Sequence, residues 1–300
     1  MRVTARRAIL GAAIVVLASA AVQAAASAAD TPSWIVFSGE PGGTALPQLF
    51  RIQTTGAGIE QITTGAKPAT QPAFSPDGQQ IVFARLGSGI FRANLDGTGL
   101  LRLTSGGRDT FPVWSPNGKR IVFVRPYRTE WRVYVMSPSG TGQRRLPQAP
   151  PAGRPSWTAN SKSIFIPTAA AIAKIDARTG RVQKRYVASL DTSVSQAMTV
   201  SPDSRTFAFV ARRAPTGPPD CGESHCPAFA LYVAAAATPG RRRRIANDTG
   251  PAGWSADAKS VVFVARGALT LEVVSSGKQT RIPTVGHVPS GDSPPAWQPR

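Results

Sequence analysis

A six-bladed β-propeller, an all-β ring of four-stranded blades, is the fold this 300-residue sequence predicts. A ten-residue motif recurs five times at near-constant spacing, and a sixth copy is divided between the two ends of the chain. A packed ring explains both observations, whereas an open solenoid has no need of a split repeat.

The five intact segments begin at Phe74, Trp114, Trp157, Val200 and Trp254, which stand 40, 43, 43 and 54 residues apart. Two of them read Phe-Ser-Pro-Asp-Gly-Gln-Gln-Ile-Val-Phe from Phe74 and Trp-Ser-Pro-Asn-Gly-Lys-Arg-Ile-Val-Phe from Trp114. Another 43 residues on stands Trp297, and Ser33-Trp34-Ile35-Val36-Phe37 reads as the apolar strand that should follow it. The ring is therefore expected to be closed by pairing of the C-terminal strand with the N-terminal blade. Each unit carries four strand signals. A short strand ends at the aromatic position. A Pro-Asp-Gly type of turn leads to an apolar triplet, since Pro presets φ and Asp or Asn with Gly tolerates tight angles. A third strand holds Phe91, Tyr134, Ile172, Tyr232 or Leu271, and a polar, basic fourth strand follows, as in Gly99–Thr104.

The first residues are read as an export signal and set aside. Arg2, Arg6 and Arg7 form a basic start, Ala8 to Val22 is a continuous run without charge, and Ala26-Ser27-Ala28 fits the small-residue pattern of a signal cleavage site. Residues 1–28 are expected to be removed, leaving 29–300 as one propeller domain with no transmembrane segment. Arg6-Arg7-Ala8-Ile9-Leu10 resembles a twin-arginine signal, so both export routes stay open. The formal charge of +19 falls to +16 once those three arginines are gone.

The repeats resemble those of the TolB-like propellers, whose units read roughly Pro-x-Trp-Ser-Pro-Asp-Gly-x-x-Ile-x-Phe. The pattern is clean in the second and third units. It is degraded in the fourth to sixth, where the turns become Ala-Asn-Ser, Pro-Asp-Ser and Ala-Asp-Ala. The resemblance implies the fold; the family's namesake is a periplasmic protein that binds protein partners, and its partner set is not carried over to this chain. The family's namesake carries an extra N-terminal domain, which this chain is expected to lack. The same propeller also serves in peptidases and polysaccharide lyases.

In a propeller the first strand of each blade lines the axis. The connections from strand four to strand one, and from strand two to strand three, open on one face, called here the loop face. Loops on a rigid scaffold commonly bind ligands. The candidate ligand-binding residues there are Lys67, Gln71, Arg108, Asp109, Arg154, Asp191, Gln196, Asp248, His287 and Asp292. Three long connections between strands two and three, Ser38–Gln48, Arg125–Trp131 and Arg212–Ala228, join them. The recurring tryptophans are expected to pack between blades and not to form a stacking platform. The Asp and Asn of the turns are expected to set turn geometry and not to hold a metal.

Cys221 and Cys226 are expected to form a disulfide within the longest insertion, as a close even pair does in an exported protein. The Arg241–Arg244 run falls on a fourth strand, where basic residues discourage edge-to-edge pairing. No metal site and no cofactor is predicted, and none of the usual catalytic or phosphate-binding motifs is found in the sequence. Nucleic acid is not an expected partner for an exported chain. The reading is a monomeric, non-catalytic scaffold for a protein partner or an anionic envelope polymer. The competing reading is a polysaccharide lyase or hydrolase, which would gather His287, Asp292, Arg154 and Lys67 in one pocket at the channel mouth. Intact-mass measurement of the native protein is expected to show a chain that begins at Ala29 or one residue later. Retention of residues 1–28 would refute export by cleavage.

Overall fold

The computed structural model describes residues 33–41, 46–147, 151, 153–168, 171–186, 194–212, 229–247, 249–284, 286–290 and 293–299. Six antiparallel sheets are formed and, among the described residues, no helix. In chain order, with the split blade counted first, blades two to six span Ala69–Arg102, Thr110–Arg145, Ser156–Tyr186, Val194–Asn247 and Gly253–Ile282. Within each sheet the strand order follows the chain order, an up-and-down meander.

The first blade joins both ends of the described chain. Trp34–Pro41, Gln48–Gln53 and Glu60–Gln61 are its second to fourth strands. Its innermost strand comes from the C-terminal end in two pieces, His287–Pro289 and Ala296–Trp297, both antiparallel to Trp34–Pro41. Ile35 lies opposite Trp297 and Val36 opposite Ala296. The Gln298 amide N–H then donates to the Trp34 carbonyl at 2.9 Å.

Why each blade needs neighbours is visible in its strands. The second strands are continuous apolar runs such as Ile81-Val82-Phe83-Ala84, buried on both sides. A sheet with two apolar faces must be covered twice. Six hydrophobic clusters result, one at each blade-to-blade interface. At the interface of the sixth and first blades, Val262, Val264 and Leu269 meet Ile35, Phe37 and Phe50. Trp114, Trp157 and Trp254 are buried in three of the others, as expected of an interblade packing residue. Trp297 is only partly buried.

The recurring turn builds itself from a hydroxyl and an Asx side chain. Ser75 donates to Asp77 Oδ1, Ser115 to Asn117, Thr158 to Asn160, Ser201 to Asp203 and Ser255 to Asp257. Residues three beyond the hydroxyl take a left-handed φ: +68° at Gly78, +70° at Gly118, +58° at Ser161, +62° at Ser204 and +59° at Ala258. For a residue with a Cβ that conformation costs roughly 1–2 kcal/mol. Ser161 and Ser204 offset it by accepting from the Asn117 and Ala159 amides of the preceding blade. Gly97 and Gly140 (both φ +85°) serve a second close approach, since a Cβ there would lie 2.5 Å from Ile62 O and 2.6 Å from Leu103 O.

Three expected loops prove to be partly strand. Arg125–Trp131 is no open loop but the tip of a hairpin, Ile121–Tyr127 with Glu130–Met136, turned at Arg128 (φ +54°). Ser38–Pro41 continues a strand because His287–Pro289 gives it a partner. His287 is accordingly a strand residue, with its ring edge-on to Phe50 at 4.5 Å between centroids.

Removing residues 293–300 deletes Ala296–Trp297 and the Gln298 contacts together. It is expected to cost more than Trp157→Ala, itself worth about 3–5 kcal/mol. Thermal unfolding of the mature chain and of the truncation ending at Asp292 measures this, and equal midpoints would show that the C-terminal segment does not hold the ring shut.

Candidate functional site

The loop face is assembled from the connections named above, but several of its sequence candidates are committed elsewhere. Gln71 lies on the innermost strand Ala69–Phe74, not in a loop, at a bulge between Thr70 and Ala73. Its φ is +58°, and Phe111 repeats the feature at +54° in the next blade. Both precede a proline, Pro72 and Pro112, which disfavours the α-helical conformation at the preceding residue and supplies no N–H to the ladder. Gln71 Oε1 accepts from the Phe111 amide at 2.8 Å and from the Thr110 hydroxyl, while the Gln71 amide donates to Ser293 Oγ at 2.7 Å. One side chain thus ties the second blade to the third, and its backbone ties to the segment before Trp297. It is a joint and not a free ligand group.

Asp109 is likewise structural. Its carboxylate is fully buried, and Arg125 grips it with two bonds of 2.7 and 2.8 Å. Arg125 also donates to Gln143 and lies over the rings of Phe123 and Tyr134. The hydrogen bond to Asp109 holds the Arg125 guanidinium above its ordinary pKa. Asp109→Ala is expected to destabilise the protein by about 1.5–3 kcal/mol, because a charged hydrogen-bond acceptor is lost from a buried position. Urea unfolding checks it, and a change below measurement error would return Asp109 to the ligand-binding candidates.

Lys67 and Arg108 do stand exposed on the loop face. Lys67 Nζ donates to Gly87 O at 3.3 Å, and a Cβ at Gly107, next to Arg108, would lie 3.2 Å from the same Gly87 oxygen. Gln196 lies on the strand Val194–Val200 and not in a loop. Asp191, Asp248, Asp292, Cys221 and Cys226 lie outside the described residues, as does most of Arg212–Ala228. His287, on its strand, and Lys67 are not among the residues that line the axial cavity, whereas Arg154 is. The cluster that would mark a catalytic pocket is therefore not assembled among the described residues. Nor do any three His, Cys, Asp or Glu among them gather as a metal site.

Sequence reasoning missed a second property of this face. Leu46, Leu86, Tyr127, Trp131, Phe229 and Val288 are all exposed, Leu86 by 53% and Trp131 by 43%. Each sits at the loop-face end of a strand or in the connection beside it. Scattered in sequence, they share a face only once the blades are stacked.

The other end of the axis is a cavity of about 370 Å³ to which all six blades contribute. Trp114, Trp157, Trp254 and Trp297 line it, with the Ser-Pro turns at its rim. Arg154 lines it too, 8% exposed. Burial pushes its guanidinium down to about 10, still a cation near neutral pH. Sequence reasoning singled out Arg154 but placed it among loop-face groups.

Five arginines elsewhere each donate to a backbone carbonyl of the next blade. Arg51 donates to Leu95 O, Arg92 to Pro138 O, Arg120 and Arg144 to Ala177 O, and Arg243 to Val274 O. Every acceptor follows the third strand of the next blade. Arg243 also pairs with the buried Glu272 at 3.0 Å.

Comparison with known proteins places this architecture. The family model described as the TolB beta propeller domain matches residues 15–161. TolB from Acinetobacter baumannii aligns with a TM-score of 0.70 at 17% identity, covering 95% of this chain and 71% of that one. A protein designated TolB from Agrobacterium tumefaciens aligns with a TM-score of 0.60 at 14% identity, covering 87% and 92%. A chain of a nidogen/laminin complex aligns with a TM-score of 0.65 at 12% identity, covering 88% and 98%. Among curated protein sequences no match is found.

Proposed function

We propose that this chain, a TolB-like six-bladed β-propeller, works as an exported, non-catalytic scaffold that binds a partner protein through its loop face. The observation that carries the reading is that several large apolar side chains are exposed on that face, Leu86, Tyr127 and Trp131 among them. Large apolar and aromatic groups with arginine nearby are the usual composition of a protein-binding core, and Arg128 sits within this set. Lys67 and Arg108 stand on the same face and add a preference for an acidic partner. The interblade joint through Gln71 and the Asp109–Arg125 pair at the third blade keep the connections in fixed register, which lowers the ordering cost of binding.

An anionic polymer draws less support. It would need free cations in a continuous array, and Arg51, Arg92 and Arg243 of the outer wall are bonded to backbone carbonyls and to Glu272. Partner binding is expected to weaken moderately with added salt and not with the steep slope of a polyelectrolyte.

Photo-crosslinking in the protein's own cell envelope tests the reading, with the crosslinker at Leu86 or Trp131 and, as a rim control, at Val182. A discrete protein adduct is expected from the first two positions only. Leu86→Glu with Trp131→Ser is expected to reduce its yield at least tenfold while leaving the unfolding midpoint unchanged. Equal adducts from Val182, or none from the loop face, would overturn the proposal.

A further inference from the structure

The axial cavity holds a charge that nothing described in the protein balances. Arg154 precedes the innermost strand Ser156–Trp157, and the residue is 8% exposed. No hydrogen bond or ion pair joins it to any other described residue, and no Asp or Glu is among the described residues lining the cavity. The molecule's other buried ion pairs show what it ordinarily does with such a group. Asp109 is gripped twice by Arg125, and Glu272 accepts from both Arg243 and Gln279. An unpaired buried cation is unfavourable, and such groups are commonly found where something else completes the pair.

The surroundings define what would complete it. Arg154 stands three residues before Trp157, so its backbone lies up to ~10 Å from that of Trp157, on the side away from the Ser-Pro turns. The walls between are indole and proline rings, Trp114, Trp254 and Trp297 with Pro116 and Pro202 among them. A guanidinium fork matches the two oxygens of a carboxylate, and aromatic walls match an apolar body. About 370 Å³ suits a ligand of small-molecule size or the last residues of a peptide.

We propose that the axial cavity is a binding site for an apolar monocarboxylate, its carboxylate held by Arg154 and its body against the tryptophan ring. This site is separate from the loop face and does not depend on it. The shared chemistry is a single carboxylate on an apolar group, whether a free organic acid or the C-terminus of a peptide supplies it.

Four of the six tryptophans of the chain line the cavity, so their fluorescence reports occupancy. The mature protein is titrated with benzoate and 3-phenylpropionate, with N-acetyl-glycyl-phenylalanine as the free acid, and with benzamide and the peptide amide as neutral counterparts. Calorimetry is run in parallel. Saturable binding by at least one acid is expected, at least tenfold tighter than its neutral counterpart. A peptide acid that outperforms the small acids assigns the source to a chain terminus, and the reverse assigns it to a free metabolite.

Arg154→Met is expected to abolish binding and to leave the unfolding midpoint equal to or above that of the parent, since an uncompensated charge is replaced by an apolar chain. Arg154→Lys, which keeps charge but loses the fork, is expected to weaken binding at least tenfold, and it decides the matter if the methionine variant fails to fold. Leu86→Glu is expected to leave acid binding untouched. No saturation by any acid, or unchanged affinity in Arg154→Lys, would overturn the site.

Discussion

Everything in this molecule follows from the need to cover both faces of each four-stranded sheet. The second strands are apolar on both sides, so no blade is stable in isolation, and the solution is six interfaces with one cluster at each. The tryptophans of the motif are largely consumed in that packing. Trp157 both fills a cluster and donates its indole N–H to Val113 O across the interface at 3.1 Å. Ser161 and Ser204 have the same origin, as residues kept in a left-handed turn where their hydroxyls fasten the preceding blade.

Much of this was legible because the repeat writes itself in local residues. Pro, Asp, Gly and an aromatic at fixed offsets specify a turn and a packing position without knowledge of any distant partner. Other features have partners far away in sequence. Gln71 is satisfied 40 residues later at Phe111, Arg51 by a carbonyl 44 residues on, and Arg243 by Glu272 across a blade boundary. No local pattern distinguishes such a glutamine or arginine from one free to bind a ligand. The hairpin through Arg128 was hidden for a different reason. Its charged, aromatic tip reads as a loop, yet an extended blade carries the ladder well beyond the apolar triplet. Arg154 was identifiable as a candidate from its place before the first strand, but its depth in the channel depends on the convergence of six strands.

The two ends of the axis consequently differ in chemistry. The loop face is broad, with single apolar and basic side chains spread over the connections. The turn face leads into an aromatic-walled cavity whose described lining includes the cation of Arg154. A net charge of +19 describes neither end well. Much of it is distributed along the outer wall, where guanidinium groups cap carbonyls that would otherwise be satisfied only by water.

Those outer arginines have a direction. From Arg51 to Leu95, Arg92 to Pro138, Arg120 to Ala177 and Arg243 to Val274, each reaches forward to the next blade in chain order. A repeat of this kind carries its own fastening to its successor. Tandem duplication of a gene segment would therefore copy the fastening along with the blade, and loss of a segment would leave the neighbours with compatible ends. Such a ring can change its number of members, or the boundary at which its chain begins, without inventing a new kind of contact.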